Sequence, residues 1–325
     1  MATLKDVAEL AGVTVTTVSR VLNNRGYISD KTRQAVYDAM KRLDYRPNEL
    51  ARSLSKQRTN VIGVIVPSAA HPFFCRVVSF LEQEAARHGY KIMLCNSSHQ
   101  REKEIEYIDM LKSNKVAAIV LCSRTPDIGA YLDIPLPVVT FERTEEGNVS
   151  AVCCDNYQGG TLATRHLIDK GCRHLAHISG SIEVHMPADQ RCTAFLDVCR
   201  EHELTGKVFD TVEAQFLSMD YGAFLDRILQ ENPELDGVFA SSDVIAAQLV
   251  QACARCGRRV PEDIKVVGFD DVDIAALTTP PITTIRQPVE QMCAFAVRTI
   301  LQQLEQGCTA VKTVLGVTLV ERGTT

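Results

Sequence analysis

The stretch AGVTVTTVSRVLNN, residues 11–24, decides how the amino-terminal part of this chain folds. Val15, Val18, Val21 and Leu22 recur at helical spacing, so one face of a short helix belongs to a core. The other face carries Thr16, Thr17, Ser19, Arg20 and Asn23. Threonine is a poor helix former, because its branched Cβ loses rotamer freedom against the preceding turn. Helix stability is therefore not what these side chains serve. Upstream, Thr3 and Asp6 have capping-box spacing ahead of an apolar stripe of Leu4, Val7, Ala8 and Ala11, and Gly12 ends that helix. Thr14 can cap the helix that follows. Ser29 caps a third, with Val36, Ala39, Met40 and Leu43 on its inner face.

Two short helices joined by AGVT have the length and turn chemistry of a helix-turn-helix, whose second helix enters the major groove of DNA. Short hydroxyl side chains approach phosphates and base edges without blocking the groove. Arg20 suits a bidentate contact to guanine O6 and N7. Thr14 and Ser29, at helix starts, bring backbone N–H groups near phosphate. A small capped bundle with a polar face fits the same pattern.

The charge distribution points the same way. The 325-residue chain carries a net charge of −5. Residues 1–58 hold eleven Lys and Arg against six Asp and Glu, a net +5, which leaves −10 for the rest. A basic head on an acidic body suits a head that meets a polyanion, though a solvated basic surface has the same composition. No apolar run reaches the ~18–20 residues of a membrane span, and MATLKDVAEL lacks the apolar core of a secretory signal. A cytoplasmic location is expected. Several of the twelve cysteines lie in apolar runs such as KIMLCN and AVCCD, where they serve as small buried hydrophobes. Cys253 and Cys256 form a C-x-x-C late in a helical pattern, the wrong end for a redox motif, and no second pair completes a zinc site. No cofactor and no metal are expected.

From residue 61 the texture changes. The segments 61–67, 90–96, 117–123, 137–142, 151–155, 174–180, 236–242 and 264–270 are apolar runs of the kind buried on both faces of a parallel sheet. Helical patterns at 76–88, 101–113, 158–170, 190–203 and 243–256 separate most of them. The alternation predicts an α/β body of parallel sheets with ligands beyond the carboxyl ends of the strands. Glu142, Arg143, Asp155, Ser242, Asp243, Asp270 and Asp271 fall at or near such ends.

TLKDVAELAGVTVTTVSRVLNN followed by KTRQAVYDAMKRLDYRPNELARSL resembles the head of the LacI/GalR family of bacterial repressors. The resemblance continues through IGVIVPSAAHPFF, HLIDKGCRHLAHISG, SSDVIAAQ, VPEDIKVVGFDD, TPPITTIRQP and LVERGTT, which is essentially the whole chain. It implies an all-α helix-turn-helix domain at 1–46, a hinge helix at 47–58 and an effector-binding, dimerising body at 59–325. That body resembles periplasmic binding proteins, with two doubly wound parallel-sheet subdomains, 59–158 with 288–318 and 159–287 with 319–325. The family's positions place Val15 and Thr16 as variable base readers and Arg20 as the guanine contact. They place Thr3, Thr14, Thr17, Ser19, Asn23, Ser29 and Thr32 on the DNA backbone. In the hinge, Leu54 matches a minor-groove wedge, with Asn48, Ala51 and Arg52 beside it. The eight residues PNELARSL, 47–54, do not hold a helix alone in water, so the hinge is expected to fold on DNA. A flexible linker is the other reading of these residues.

For the effector, Glu142, Arg191, Ser242, Asp270 and Gln287 match contact positions of the sugar repressors. His71 and Phe73 follow the first body strand, and Arg143 and Asp243 complete the candidate set. The family's R-x-x-G-F reads RCTAF here, with Ala194 in place of glycine, which puts local packing in doubt. The stretch GYKIMLCNSSHQREKEIEYIDML, residues 89–111, resembles regulators of sucrose or ribose use. The expected partners are a palindromic operator, a second copy of the chain, and a sugar or sugar phosphate that releases the repressor. A purine-responsive or catabolite-control regulator of the same family is the alternative. A sugar-binding protein or carbohydrate enzyme without a DNA role is the reading from another class. Against an enzyme, G-x-S-x-G, H-E-x-x-H and a Walker loop are all missing.

Overall fold

The computed structural model describes residues 2–22, 26–45, 58–125, 128–144, 149–180, 186–307 and 309–325. The chain divides into two units, residues 1–59 and 60–325.

The first unit is a small helical domain. Helix α1 (Leu4–Ala11) opens with a reciprocal cap: Thr3 Oγ1 accepts from the Asp6 N–H, and the Thr3 N–H donates to Asp6 Oδ2 at 2.7 Å. Gly12, at φ 67°, ends it in a conformation that costs glycine no Cβ clash. Helix α2 (Val15–Leu22) and helix α3 (Asp30–Arg42) follow. Val7, Ala8, Val18, Val21, Val36 and Ala39 close the core. Residues 47–57 of the hinge lie outside the described residues, Asn48, Ala51, Arg52 and Leu54 among them, and so does Asn23.

The second unit holds two six-stranded sheets. The first lobe runs β1 (Val61–Val66), α4 (Pro72–Arg87), β2 (Lys91–Asn96), α5 (Arg101–Ser113), β3 (Ala118–Leu121), β4 (Val138–Phe141) and β5 (Ser150–Cys154). The second runs α6 (Asn156–Asp169), β6 (Leu175–Ser179), α7 (Gln190–Glu201), β7 (Gly206–Asp210), α8 (Glu213–Ser218), α9 (Gly222–Glu231), β8 (Gly237–Ala240), α10 (Asp243–Arg255), β9 (Lys265–Asp270), α11 (Asp273–Leu277) and β10 (Thr283–Arg286). Helix α12 (Val289–Gln306) leads back to β11 (Lys312–Leu315), which pairs with β5, and β12 (Thr318–Val320) pairs with β10. The chain thus passes between the sheets after β5, after β10 and between β11 and β12. All pairings are parallel except β10 with β12.

Four strands escape a search for apolar runs. β7 is an edge strand, half-buried, with Gly206, Lys207 and Asp210 leaving only Val208 and Phe209 as an apolar run. β10 buries Thr283 and Thr284, whose hydroxyls are satisfied by Thr325 and Asp243, so its polarity conceals its burial. β11 and β12 are short and half-exposed edges. Helix α4 starts four residues before the periodicity suggests. Pro72 occupies its first turn, and His71 caps it by accepting the Phe73 N–H.

Candidate functional site

On α2 the apolar side is buried through Val18 and Val21, which leaves Val15, Thr16 and Arg20 exposed and Ser19 half-buried. Thr14 Oγ1 accepts the Thr17 N–H at 3.2 Å and shares a hydrogen bond with the Thr17 hydroxyl. Ser29 does the same for Thr32. The hydroxyls expected at phosphates therefore also hold the starts of α2 and α3. Tyr27, not singled out in the sequence, is 99% exposed in the turn between α2 and α3.

In the second unit a cavity of about 110 Å³ lies between the two lobes. It is lined from the carboxyl ends of strands: Ser123 and Arg124 after β3, Glu142 after β4, Ser179 after β6, Thr211 after β7, Ser242 after β8, Asp270 at the end of β9 and Gln287 after β10. This is where parallel sheets place ligands. The cavity brings together His71, Phe73, Glu142, Arg191, Ser242, Asp270 and Gln287 of the residues expected from sequence.

Two expected residues do not line it. Arg143 is buried and donates to the Thr125 carbonyl at 2.7 Å. The backbone turns at Glu142, where φ is 53°, and the two neighbouring side chains part. Asp243 is also buried. One oxygen accepts the Val272 N–H at 2.8 Å and the other the Thr284 hydroxyl at 2.5 Å, so it braces the turn behind Asp270. Burial, with Asp270 near, holds its carboxyl well above the usual range. Asp155 caps α6 through the Gln158 N–H.

The polar wall is a chain of contacts. The Glu142 carboxylate accepts the Cys154 N–H and Asn156 Nδ2. Asn156 Oδ1 accepts Arg191 Nε at 2.7 Å. Arg191 also donates to the Ser241 carbonyl and lies 3.5 Å over the Phe269 ring. Helices α6 and α7 must be close for this, and Gly160 lets them be. A Cβ there would sit 2.5 Å from the Arg191 carbonyl oxygen and 2.9 Å from Ala194 Cβ. The glycine missing at position 194 is thus supplied by the facing helix. Asp270 accepts Gln287 Nε2 at 2.7 Å, and Gln287 Oε1 is buried with no donor among the described residues. Burial pushes the Asp270 carboxyl up to about 7, with Arg191 opposing.

The other wall is aromatic and spans the lobes. Phe216 on α8 stacks on His71 at 5.1 Å and meets His99 edge-on at 4.7 Å. The Arg124 guanidinium lies 5.4 Å from the same ring. His99 faces Glu213 at 3.5 Å. Burial, then Arg124, lowers both histidines to about 4. Sequence reading missed Arg124, Phe216, Asn156 and Gly160. Arg124 directly follows an apolar run, so the strand-end rule could have found it. Phe216 lies in a six-residue helix without periodicity.

An exposed polar helix on a small helical domain, followed by a two-lobed body that encloses a polar and aromatic cavity, defines a regulator with a DNA-reading head and a ligand-holding body. Residues 3–48 match the model of bacterial regulatory proteins of the lacI family, and residues 164–325 match a periplasmic binding protein-like domain. The ribose operon repressor of Halalkalibacterium halodurans is 36% identical, over 94% of this chain and 91% of its own. The sucrose operon repressor of Streptococcus mutans is 34% identical, over 94% of this chain and 93% of its own. Among solved structures, a LacI-type regulator from Alkaliphilus metalliredigens in complex with D-xylulofuranose is 33% identical, with a TM-score of 0.74, over 82% of this chain and 99% of that one. This chain belongs to the lacI family of bacterial regulatory proteins. Among the described residues no helix is long and apolar enough to cross a membrane.

Proposed function

We propose that this protein is an operator-binding repressor released by one neutral monosaccharide, with a pentose the first choice. The observation that carries the reading is the composition of the cavity. Three carboxylates, Glu142, Asp189 and Asp270, line it against two guanidiniums, Arg124 and Arg191. A phosphate dianion would add charge to a site already rich in carboxylate, whereas sugar hydroxyls can donate to carboxylates and accept from guanidinium. Gln287 Oε1 suits a hydroxyl donor in the same way. Phe73, Phe74 and Phe216 supply apolar faces for a sugar ring. A pentose is the first choice because the ribose operon repressor matched above is 36% identical over 94% of this chain, and the 33% identical regulator from Alkaliphilus metalliredigens was solved with D-xylulofuranose.

In the head, Val15, Thr16 and Arg20 read bases, and the capped starts of α2 and α3 with Thr3 and Ser19 meet the backbone. A palindromic operator read by two such helices calls for a homodimer.

Thermal shift with D-ribose, D-xylulose, sucrose, D-ribose 5-phosphate and guanine tests the reading. A neutral monosaccharide should raise the melting temperature, and the same sugar should release the protein from an operator selected from random DNA. Stabilisation by the phosphate ester or by the purine, and by no neutral sugar, would refute it.

A further inference from the structure

We infer that Glu104 is a positioning residue for the effector cavity, acting through two strand-end loops rather than by touching ligand. Glu104 lies on α5 and is fully buried. Its Oε1 accepts the Ser97 hydroxyl at 3.0 Å, and its Oε2 accepts the Ser123 hydroxyl at 2.6 Å. Ser97 directly follows β2, and Ser123 lies two residues beyond β3. The Ser123 oxygen in turn accepts the Thr125 N–H at 2.9 Å. Ser123 thus uses its hydroxyl both ways, accepting the Thr125 N–H on a lone pair and donating its one proton to Glu104 Oε2. The turn from 123 to 125 is closed by the first of these bonds, and Arg124 at its centre is presented over Phe216. The second loop carries His99, which meets the same ring. One buried carboxylate thus ties together the two loops that hold the first lobe's grip on Phe216.

A buried carboxyl is expensive to desolvate, and a hydrophobic residue would fill this space at lower cost. What the carboxylate supplies is acceptance of two converging hydroxyl protons. Glutamine can do nearly the same. Its Oε1 would face Ser123 and its Nε2 would face Ser97, whose hydroxyl can turn to the Val66 carbonyl, 3.3 Å away. Leucine can accept neither.

The inference rests on the monosaccharide reading of the cavity, so its test has an arm that needs no ligand. The chain contains no tryptophan. Phe216→Trp introduces one at the seam, where contact with His71 and Arg124 should quench and blue-shift its emission. In that background Glu104→Leu should red-shift and brighten the emission, and Glu104→Gln should leave it unchanged. With Phe216 restored, D-ribose titration should show affinity reduced at least about tenfold by Glu104→Leu and less than about threefold by Glu104→Gln. Ser97→Ala, which removes one donor and lies outside the cavity lining, should move both readouts in the direction of Glu104→Leu if that variant does not fold. Unchanged emission in Glu104→Leu or Ser97→Ala would overturn the inference. So would equal damage from Gln and Leu, which would make the charge and not the acceptance the requirement. If the parent binds D-ribose and the other neutral sugars not at all, the monosaccharide reading falls and the emission arm still decides Glu104.

Discussion

Gly160→Ala sets two known effects against each other. Alanine is the better helix former by about 1 kcal/mol, which favours the substitution. Yet the new Cβ would lie 2.5 Å from the Arg191 carbonyl oxygen, 2.9 Å from Ala194 Cβ and 3.0 Å from Arg191 Cα. Two of these three atoms are backbone, so no side chain can swing aside. Helix α7 must move off α6 by roughly 1 Å to restore ordinary contact in a core packed like a crystal. Overpacking of this kind costs about 1–3 kcal/mol. The clash therefore exceeds the propensity gain, and the melting temperature should fall by a few degrees, at ~2–4 °C per kcal/mol for a domain of this size.

The larger effect should be on ligand. Arg191, on the displaced helix α7, donates through Nε to Asn156 Oδ1 at 2.7 Å, and Asn156 is the first residue of α6. Separating the helices breaks that charged hydrogen bond and moves the guanidinium out of the polar wall, while Asn156 keeps its bond to Glu142. Sugar affinity should fall about tenfold or more, since a bond to a charged group contributes ~1.5–3 kcal/mol. Calorimetric unfolding and isothermal titration measure the two effects separately. Adding Ala194→Gly should restore only part of the loss, because the carbonyl clash remains. A Gly160→Ala protein that melts higher and binds sugar as before would refute the argument: propensity would have won, and the approach of α6 to α7 would not set Arg191.

Asp270→Asn should weaken sugar binding about tenfold or more, through loss of a charged acceptor, while stabilising the free protein at pH 8. The sign follows from the raised carboxyl: its desolvation penalty is absent below about 3.8, grows with pH and is complete above about 7, so the gain in melting temperature should vanish in acid. Sugar affinity of the wild type should decline as pH falls through 7 and Asp270 protonates, and decline again from 6.5 towards 4. In that lower window the open form takes up protons at His71 and His99 before the closed seam can, and each histidine weakens closure by at most about tenfold per pH unit. Asp270→Asn should erase the upper limb and keep the lower, and a flat profile between 6.5 and 4 would dismiss the seam. Arg20→Ala should relax preference at one base pair per half-site by ~1–3 kcal/mol in a competition assay on randomised operators. Equal losses on all sequences would make it a phosphate contact.

Much of this was legible from residues 11–24 and from the apolar runs. Both signals report burial through periodicity, and periodicity survives in one dimension. The ends of the strands located Glu142, Ser242 and Asp270, because a parallel sheet has only one side where ligands sit. Strand ends do not tell which way a neighbour points. Arg143 and Asp243 are adjacent to true lining residues and were misplaced for that reason. The αL turn at Glu142 sends Arg143 to the Thr125 carbonyl, and the first turn of α10 sends Asp243 under Val272. Phe216 and Gly160 were out of reach because their importance lies in what approaches them from a distant part of the chain.

The contacts that join the lobes are also the contacts that build the site. Phe216 stacks on His71 across the cleft, His99 faces Glu213, and Arg76 on α4 donates to the Asp271 carbonyl. Asp270 and Asp271 both hold positive φ, 108° and 53°, a strained pair for residues with a side chain. Asp243, Gln287, Arg286 and Arg322 hold the pair in place from the second lobe, and Arg76 reaches it from the first. A ligand that hydrogen-bonds Asp270 therefore acts on the same turn that the first lobe grips. Binding and lobe closure become one equilibrium, and whatever favours the open arrangement must weaken the ligand by the same factor that the ligand opposes it. If operator DNA selects one arrangement of the lobes, saturating operator should raise the sugar dissociation constant by the factor by which saturating sugar raises that of the operator. Arg76→Met should shrink both factors together, because it loosens closure without touching either binding surface.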